Sequence, residues 1–297
     1  MTEVNHLAAE ALAALDLSDA LRIAFMAEDR WIDYARARMA LQELERLLAS
    51  PKRTRMPCML IHGESNIGKS MIIQKFLRDH PHREFNHESG MLQVDVLAVE
   101  MPAAPTERRF YGQILLALNA PYRPGDRLAA VEFTALTLLR QVAPKMIVVD
   151  EVHNLLAGSA REQRAALNLL KFLSNQVPCS IVALGTRDAL AAVQTDSQIA
   201  SRFPGFELPR WQENEDLRRF LAGFERQLPL RLPSKISDNR SMVSRIMNAT
   251  GGITGEITGL LSRAAEAAIR TKTERITPEL LQAAIGTAAL GTAAIPA

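Results

Sequence analysis

Aromatic side chains are scarce in this 297-residue chain: two Trp, three Tyr and ten Phe. Apolar residues still make up 47%, so the core must be built from aliphatic side chains and alanine. Cysteine is nearly absent. Cys58 and Cys179 stand alone and form no motif, which excludes a disulfide-stapled scaffold and points to a reducing, cytosolic setting. No charge sign dominates: Lys+Arg number 35 against 33 for Asp+Glu, a net +2. A histone-like polycation and an acidic tail are thereby excluded, whereas a local basic stripe is not. No apolar run is long enough to span a bilayer, so no membrane partner is expected. The first twenty residues carry acids and no basic segment ahead of an apolar stretch, so no secretory signal is expected.

What is present is an alternation. Residues 1–50 read as a helical N-terminal arm, with Ser18 capping "SDALRIAFMAED" and helical spacing in "YARARMALQELERLLAS". The basic run Lys52, Arg53, Arg55 precedes a first strand, "MPCMLIH". Strands "MLQVDVLAV", "KMIVVD", "CSIVALGT" and "GFELP" then alternate with amphipathic helices. Apolar runs of strand length between helices predict an α/β fold, a parallel five-stranded sheet covered by helices over 51–210. From 211 to 290 the pattern is helical only, and Thr277-Pro278 is a good helix start. This predicts a C-terminal α-helical lid, followed by a loose tail over 291–297 that already begins in "TAALGTAAIPA".

The residues that carry chemistry lie at the ends of these strands. Gly63-Glu64-Ser65-Asn66-Ile67-Gly68-Lys69-Ser70 fits G-x-x-x-x-G-K-[ST], the Walker A or P-loop pattern, between a predicted strand and helix. Its glycines let the backbone curl round phosphate oxygens, and its amides and the following helix N-terminus supply positive charge. Lys69 reaches the β- and γ-phosphates of ATP, and the Ser70 hydroxyl ligates Mg²⁺. "MIVVDEVHN" supplies the second half, a Walker B strand ending in Asp150 and Glu151. Carboxylates at the C-terminal end of a parallel strand face the ligand crevice. Asp150 would hold Mg²⁺ through water, and Glu151 would polarise the attacking water. The spacing fits a sheet in which another strand separates the two motifs. Thr186, ending "CSIVALGT", would then sit between Glu151 and the γ-phosphate. Arg202 could project toward a neighbouring subunit and stabilise the transferring phosphoryl charge, with Arg187 and Arg210 as competitors. The histidines of "HPHREFNH", His80, His82 and His87, lack a cysteine or paired acid and read as a surface loop. Cys58 and Cys179, early in two strands expected to be neighbours, read as small core residues.

Together "GESNIGKS", "VVDEVHN", "ALGT", "ASRF" and the helical lid resemble the AAA+ P-loop NTPase superfamily. The stretch "RWIDYARARMALQELERLLASPKRTRMPCMLIHGESNIGKS", with "DEVHNLLAGSAREQRAALNLLKFLSN" and "ALGTRDALAAVQTDSQIASRF", is similar to TniB proteins, transposition ATPases related to TnsC. The resemblance runs from about residue 20 to 285. It implies a bacterial cytoplasmic, ATP-dependent regulator that assembles as a ring or helical filament of identical subunits on duplex DNA. Such a regulator recruits or activates a DDE transposase and works with a target-selection protein. It implies also that Trp31, Ile32 and Tyr34 approach the adenine. Thr106, Arg108, Arg109 and Tyr111, at a helix start that faces the pore in this family, are implied as contacts to the DNA backbone without sequence preference. One departure stands out. AAA+ lids often begin a helix with Gly-x-x-Arg, whereas here "GGITGEITGLLSR" has Glu256 in the neighbourhood and Arg263 two turns later. A helicase loader of replication initiation shares the nucleotide site and is the alternative. A P-loop kinase fits the paired acids less well, and no Asn-Lys-x-Asp guanine motif appears. A scaffold that binds ATP without hydrolysing it is opposed by the Lys69 and Glu151 pair, while the irregular lid sensor leaves it open.

Overall fold

The computed structural model describes every residue except 1–5, 82, 87–90, 104–105, 124, 157–159 and 293–297. In chain order its elements are α1 (Ala9–Ala14), α2 (Asp19–Met26), α3 (Ala35–Leu48), β1 (Met59–His62), α4 (Lys69–Asp79), β2 (Arg83–Asn86), β3 (Met91–Val94), β4 (Val96–Glu100), α5 (Glu107–Ala117), α6 (Leu128–Val142), β5 (Met146–Asp150), a 3₁₀ turn (Val152–Leu156), α7 (Ala160–Gln176), β6 (Ser180–Gly185), α8 (Arg187–Gln194), α9 (Ser197–Ala200), β7 (Gly205–Glu207), α10 (Glu215–Glu225), α11 (Arg240–Thr250), α12 (Thr254–Arg270) and α13 (Pro278–Thr292). They fall into two compact units. A sheet unit comprises Met39–Ser65 and Lys69–Pro209, and a helical unit comprises Met1–Arg38, Asn66–Gly68 and Arg210–Ala297.

The sheet unit is built on five parallel strands in the order β4-β5-β6-β1-β7. Every residue of β6 is buried, as are the four apolar residues of β5. Strands without a polar face belong in a sheet covered on both sides, which is why these runs pair in parallel. The core joins Leu97, Val99, Phe110, Ile114, Leu139, Val149, Leu173 and Ile181 into one cluster, mostly aliphatic as the composition requires. Cys58 and Cys179 are buried beside the paired strands β1 and β6. Burial pushes their thiols up to about 11 and about 12, so they act as small apolar residues.

The sequence pattern missed two features of this unit. The run "MLQVDVLAV", expected as one strand, is broken at Asp95. β3 pairs antiparallel with β2, in a stretch expected to be loop, while β4 joins the main sheet. The break has a physical anchor: the Asp95 carbonyl accepts from the Lys145 and Met146 amides, and its carboxylate pairs with Lys145 at 2.9 Å. His82 and His87 lie outside the described residues.

The helical unit packs α10 to α13 around Leu217, Phe220, Ile246, Ile257, Leu261 and Ile269. α2 is bound into it by Arg22, only 2% exposed, which donates from Nη1 to Glu274 Oε1 at 2.9 Å and from Nη2 to the Pro229 carbonyl at 2.6 Å. The segment from Thr287, expected to be loose, continues α13 to Thr292, as its alanine content favours. Residues 293–297 of the expected tail lie outside the described residues. Among the described residues no helix is long and apolar enough to cross a membrane.

Candidate phosphate and water-activating site

In the sheet unit the chemistry collects at the C-terminal ends of β1, β5 and β6. β1 ends at His62, and the Gly63 amide donates to the Gly185 carbonyl at the end of β6 at 3.2 Å. The loop then turns into α4, whose first two residues are Lys69 and Ser70. The turn needs left-handed backbone twice, at Asn66 (φ 63°) and Gly68 (φ 103°). Asn tolerates that region and Gly occupies it freely, which explains these residue types at these positions. Lys69 Nζ donates to the carbonyls of Gly63 at 3.0 Å and Glu64 at 2.8 Å. Burial pushes the Lys69 ammonium below the usual lysine range, while Glu151, Asp150 and Glu64 pull it back. A partly desolvated cation among amides is suited to an anion carrying several charges.

Two strands from β1, with β6 between, β5 delivers Asp150. Ser70 Oγ donates to Asp150 Oδ2 at 3.0 Å, and the Glu151 amide donates to Oδ1 at 2.7 Å. The hydroxyl and carboxylate are both hard oxygen donors, the set Mg²⁺ prefers. Glu151 follows at φ 56°, left-handed for a residue with a side chain. Its carboxylate is 41% exposed, and Oε2 lies 3.0 Å from Nδ1 of His153. Thr186 is half-buried as the N-cap of α8, yet its hydroxyl makes no capping bond. Lys69, Ser70, Asp150 and Glu151 thus form one constellation. His153 was not singled out from the sequence, although it stands two residues beyond Glu151.

Arg202 Nη1 donates to Ser174 Oγ and Asn175 Oδ1, both at 2.7 Å, so the guanidinium is held at the end of α7 of its own chain. Arg187 pairs with Glu207 at 2.9 Å. Thr106 caps α5, accepting from the Arg109 amide at 3.3 Å, and Arg108 and Arg109 are exposed on its first turn. Tyr111 differs from its neighbours. It is 1% exposed, inside the core. Burial, with Glu132 and Glu107, pushes its phenol well above the usual range. A side chain so enclosed has no face to offer DNA, and Tyr111 is a core residue.

In the helical unit the aromatic residues converge. The Tyr34 ring centroid lies 5.0 Å from Trp211 and 5.9 Å from Phe220, and Trp211 stacks on Phe220 at 4.7 Å. Ile32 and Tyr34 pack on the unit's core, and Trp31 is half-buried without joining it. Burial pushes the Tyr34 phenol up to about 12. The loop residue Asn66 is gripped by α12. The Gly255 amide donates to the Asn66 carbonyl at 2.9 Å, and Asn66 Nδ2 donates to Glu256 Oε1 at 3.1 Å. A β-carbon on Gly255 would lie 2.0 Å from Asn66 Oδ1, so any larger residue there must displace the Asn66 side chain. Glu256, found where an arginine is usual, therefore has a partner of its own.

Comparison with known proteins agrees with the fold. The chain is similar in fold to the Aeropyrum pernix Orc1 protein solved in complex with DNA (TM-score 0.63, 19% identity, covering 89% of this chain and 69% of that one). It is similar also to Cdc6p of Pyrobaculum aerophilum (TM-score 0.61, 16% identity, 90% and 70%). A Walker-type ATPase of Pyrococcus abyssi shares the fold too (TM-score 0.57, 13% identity, 90% and 77%). The fold is that of an AAA+ P-loop NTPase. No curated protein matches the chain. The family described as Bacterial TniB protein matches residues 22–213, well over half of the chain. On that match the chain belongs to the TniB family.

Proposed function

We propose that this protein is an ATP-driven regulator of DNA transposition. The observation that carries the reading is the constellation of Lys69, Ser70, Asp150 and Glu151 at the ends of parallel strands, in a chain of the TniB family. Lys69 and the amides of residues 63–70 hold the β- and γ-phosphates of ATP, and Trp31, Ile32 and Tyr34 take the adenine. Ser70 and Asp150 hold Mg²⁺, which supplies charge neutralisation on the phosphates. Glu151 accepts a proton as water oxygen bonds to the γ-phosphorus. The bond from that phosphorus to the β-phosphate oxygen breaks, giving ADP and phosphate. Thr186 hydrogen-bonds near the attacked phosphate. Arg202 leaves Ser174 and Asn175 to reach the nucleotide of a neighbouring copy.

Copies assemble as a ring or filament on duplex DNA through Thr106, Arg108 and Arg109, binding backbone rather than bases. The Orc1 relative was solved with DNA, which supports this part of the reading. The assembly marks a site for a DDE transposase, with a target-selection protein as further partner. Electron microscopy with duplex DNA tests the proposal. Ordered assemblies are expected with ATP or a non-hydrolysable analogue and not with ADP; their absence in all three states overturns it. Helicase loading, which uses the same nucleotide site, is the second reading. Binding to a replicative helicase and not to a transposase would select it.

A further inference from the structure

The turn after β5 does more than end a strand. Glu151 sits in left-handed backbone (φ 56°), a conformation that a residue with a side chain keeps only when its surroundings impose it. Here they do so at several points. The Asn154 amide donates to the Glu151 carbonyl at 2.9 Å, and Asn154 Nδ2 donates to the Met101 carbonyl at 2.8 Å. The Met101 amide donates in turn to the Asp150 carbonyl at 2.8 Å. Val152, at 1% exposure, is anchored in the core. A turn pinned in this way fixes where residue 153 points, and it points back. His153 Nδ1 lies 3.0 Å from Glu151 Oε2.

That nitrogen is shielded from solvent and has no aligned hydrogen bond. A shielded imidazole nitrogen at contact distance from one carboxylate oxygen completes a bond by a small side-chain rotation. Catalytic hydrogen bonds commonly become linear only when substrate is bound.

We propose that His153 is the positioning residue for Glu151, a role that rests on the ATPase reading above. Its Nδ1–H donates to Oε2 and holds the carboxylate plane, leaving Oε1 to accept the proton of the attacking water. This is the common logic of a base oriented by a third group, with the carboxylate as base and the imidazole as orienter. His153 touches neither nucleotide nor water and acts only through Glu151.

The test is ATP turnover by the full chain with Mg²⁺ and duplex DNA, comparing His153→Ala, His153→Asn and His153→Gln. Asparagine carries its donor close to where histidine carries Nδ1, whereas glutamine reaches past it. His153→Ala is expected to lower kcat about 10- to 100-fold, the usual cost of losing a supporting hydrogen bond, with KM for ATP nearly unchanged. His153→Asn restores most of the loss and His153→Gln does not. In a Glu151→Gln background, His153→Ala adds no further loss. The proposal is overturned if kcat is unchanged or raised in His153→Ala, if Asn and Gln behave alike, or if KM rises in step with the fall in kcat. A wild-type protein that binds ATP but never hydrolyses it overturns the ATPase reading itself, and this proposal with it.

Discussion

In the sheet unit, Lys69, Ser70, Asp150 and Glu151 are all placed by backbone: the ends of β1 and β5 and the start of α4. In the helical unit, Tyr34, Trp211 and Asn66 are placed by side chains and segments far apart in sequence. Arg22 and Glu274, which bind that unit together, are 252 positions apart. The first arrangement gives precision where charge moves during a reaction. The second gives a body whose integrity depends on a few buried polar contacts. Substitutions in the two units therefore fail differently, and the two tryptophans, Trp31 and Trp211, both lie in the helical unit and report on it alone.

The largest effects belong to the sheet unit and concern activity, not stability. Lys69→Ala is expected to weaken ATP binding about 100-fold or more, with the tryptophan unfolding transition unmoved. Undiminished ATP affinity would remove Lys69 from the phosphate site. Glu151→Gln should keep ATP bound while turnover falls by about 10² or more, as for a lost general base, and should accumulate DNA-bound assemblies.

In the helical unit the largest effect is on folding. Glu274→Gln leaves the buried Arg22 with Asp19, 3.6 Å away, as its remaining anion, and losing the charge of the closer partner costs up to about 3 kcal/mol. Urea unfolding followed by tryptophan fluorescence measures it. Burial works against the Glu274 carboxylate, but hydrogen bonds from Arg22 and the Arg231 amide, with the charges of both arginines, outweigh it and hold it below its ordinary 4.5. A depressed carboxylate stabilises the fold above its ordinary value and loses that contribution as pH falls through the folded one. The tryptophan transition of the wild type should therefore weaken below about pH 4.5, and Glu274→Gln should lose that part of the slope. A smaller loss is expected from Gly255→Ala, whose new methyl meets Asn66 and costs about 1–3 kcal/mol as an overpacked site. Adding Asn66→Gly removes the obstacle and should recover most of it; a simple sum of the two effects would mean that the contact carries no energy.

The sheet unit was legible because its chemistry is written in adjacent residues. "GESNIGKS" and "VVDEVHN" each name a turn, its ligands and the strand that delivers them. The five strands followed from apolar runs, since a strand buried on both faces has no polar residue to obscure it. The break at Asp95 was hidden because β3 and β4 are continuous in pattern, and only the bonds from Lys145 and Met146 to Asp95 divide them. His153 was passed over for a related reason. Its position depends on a left-handed Glu151, and no periodicity reveals a single residue of reversed φ. Nothing in the sequence pairs Arg22 with Glu274 either, because tertiary packing alone brings them together.

The smallest expected effect concerns DNA, and it separates Tyr111 from the two arginines with which the sequence had grouped it. Arg108 and Arg109 are exposed at the capped start of α5, while Tyr111, one turn on, is enclosed in the core. Phosphate contacts release counterions, so each lost contact lowers the slope of log K against log salt by about 1. Glutamate at both Arg108 and Arg109 should reduce the slope by about 2 for each subunit bound, with no change in preference among DNA sequences. Tyr111→Phe should leave the slope alone and affect only stability. In the proposed assembly, a chain with a net charge of only +2 gains affinity from many copies each adding a few contacts. Removing two from every copy then weakens assembly as well as binding, and the protein concentration at half saturation should rise less steeply with salt than for the wild type. Equal slopes for the wild type and the double variant would place the DNA path elsewhere, with the run at Lys52, Arg53 and Arg55 as the next surface to test.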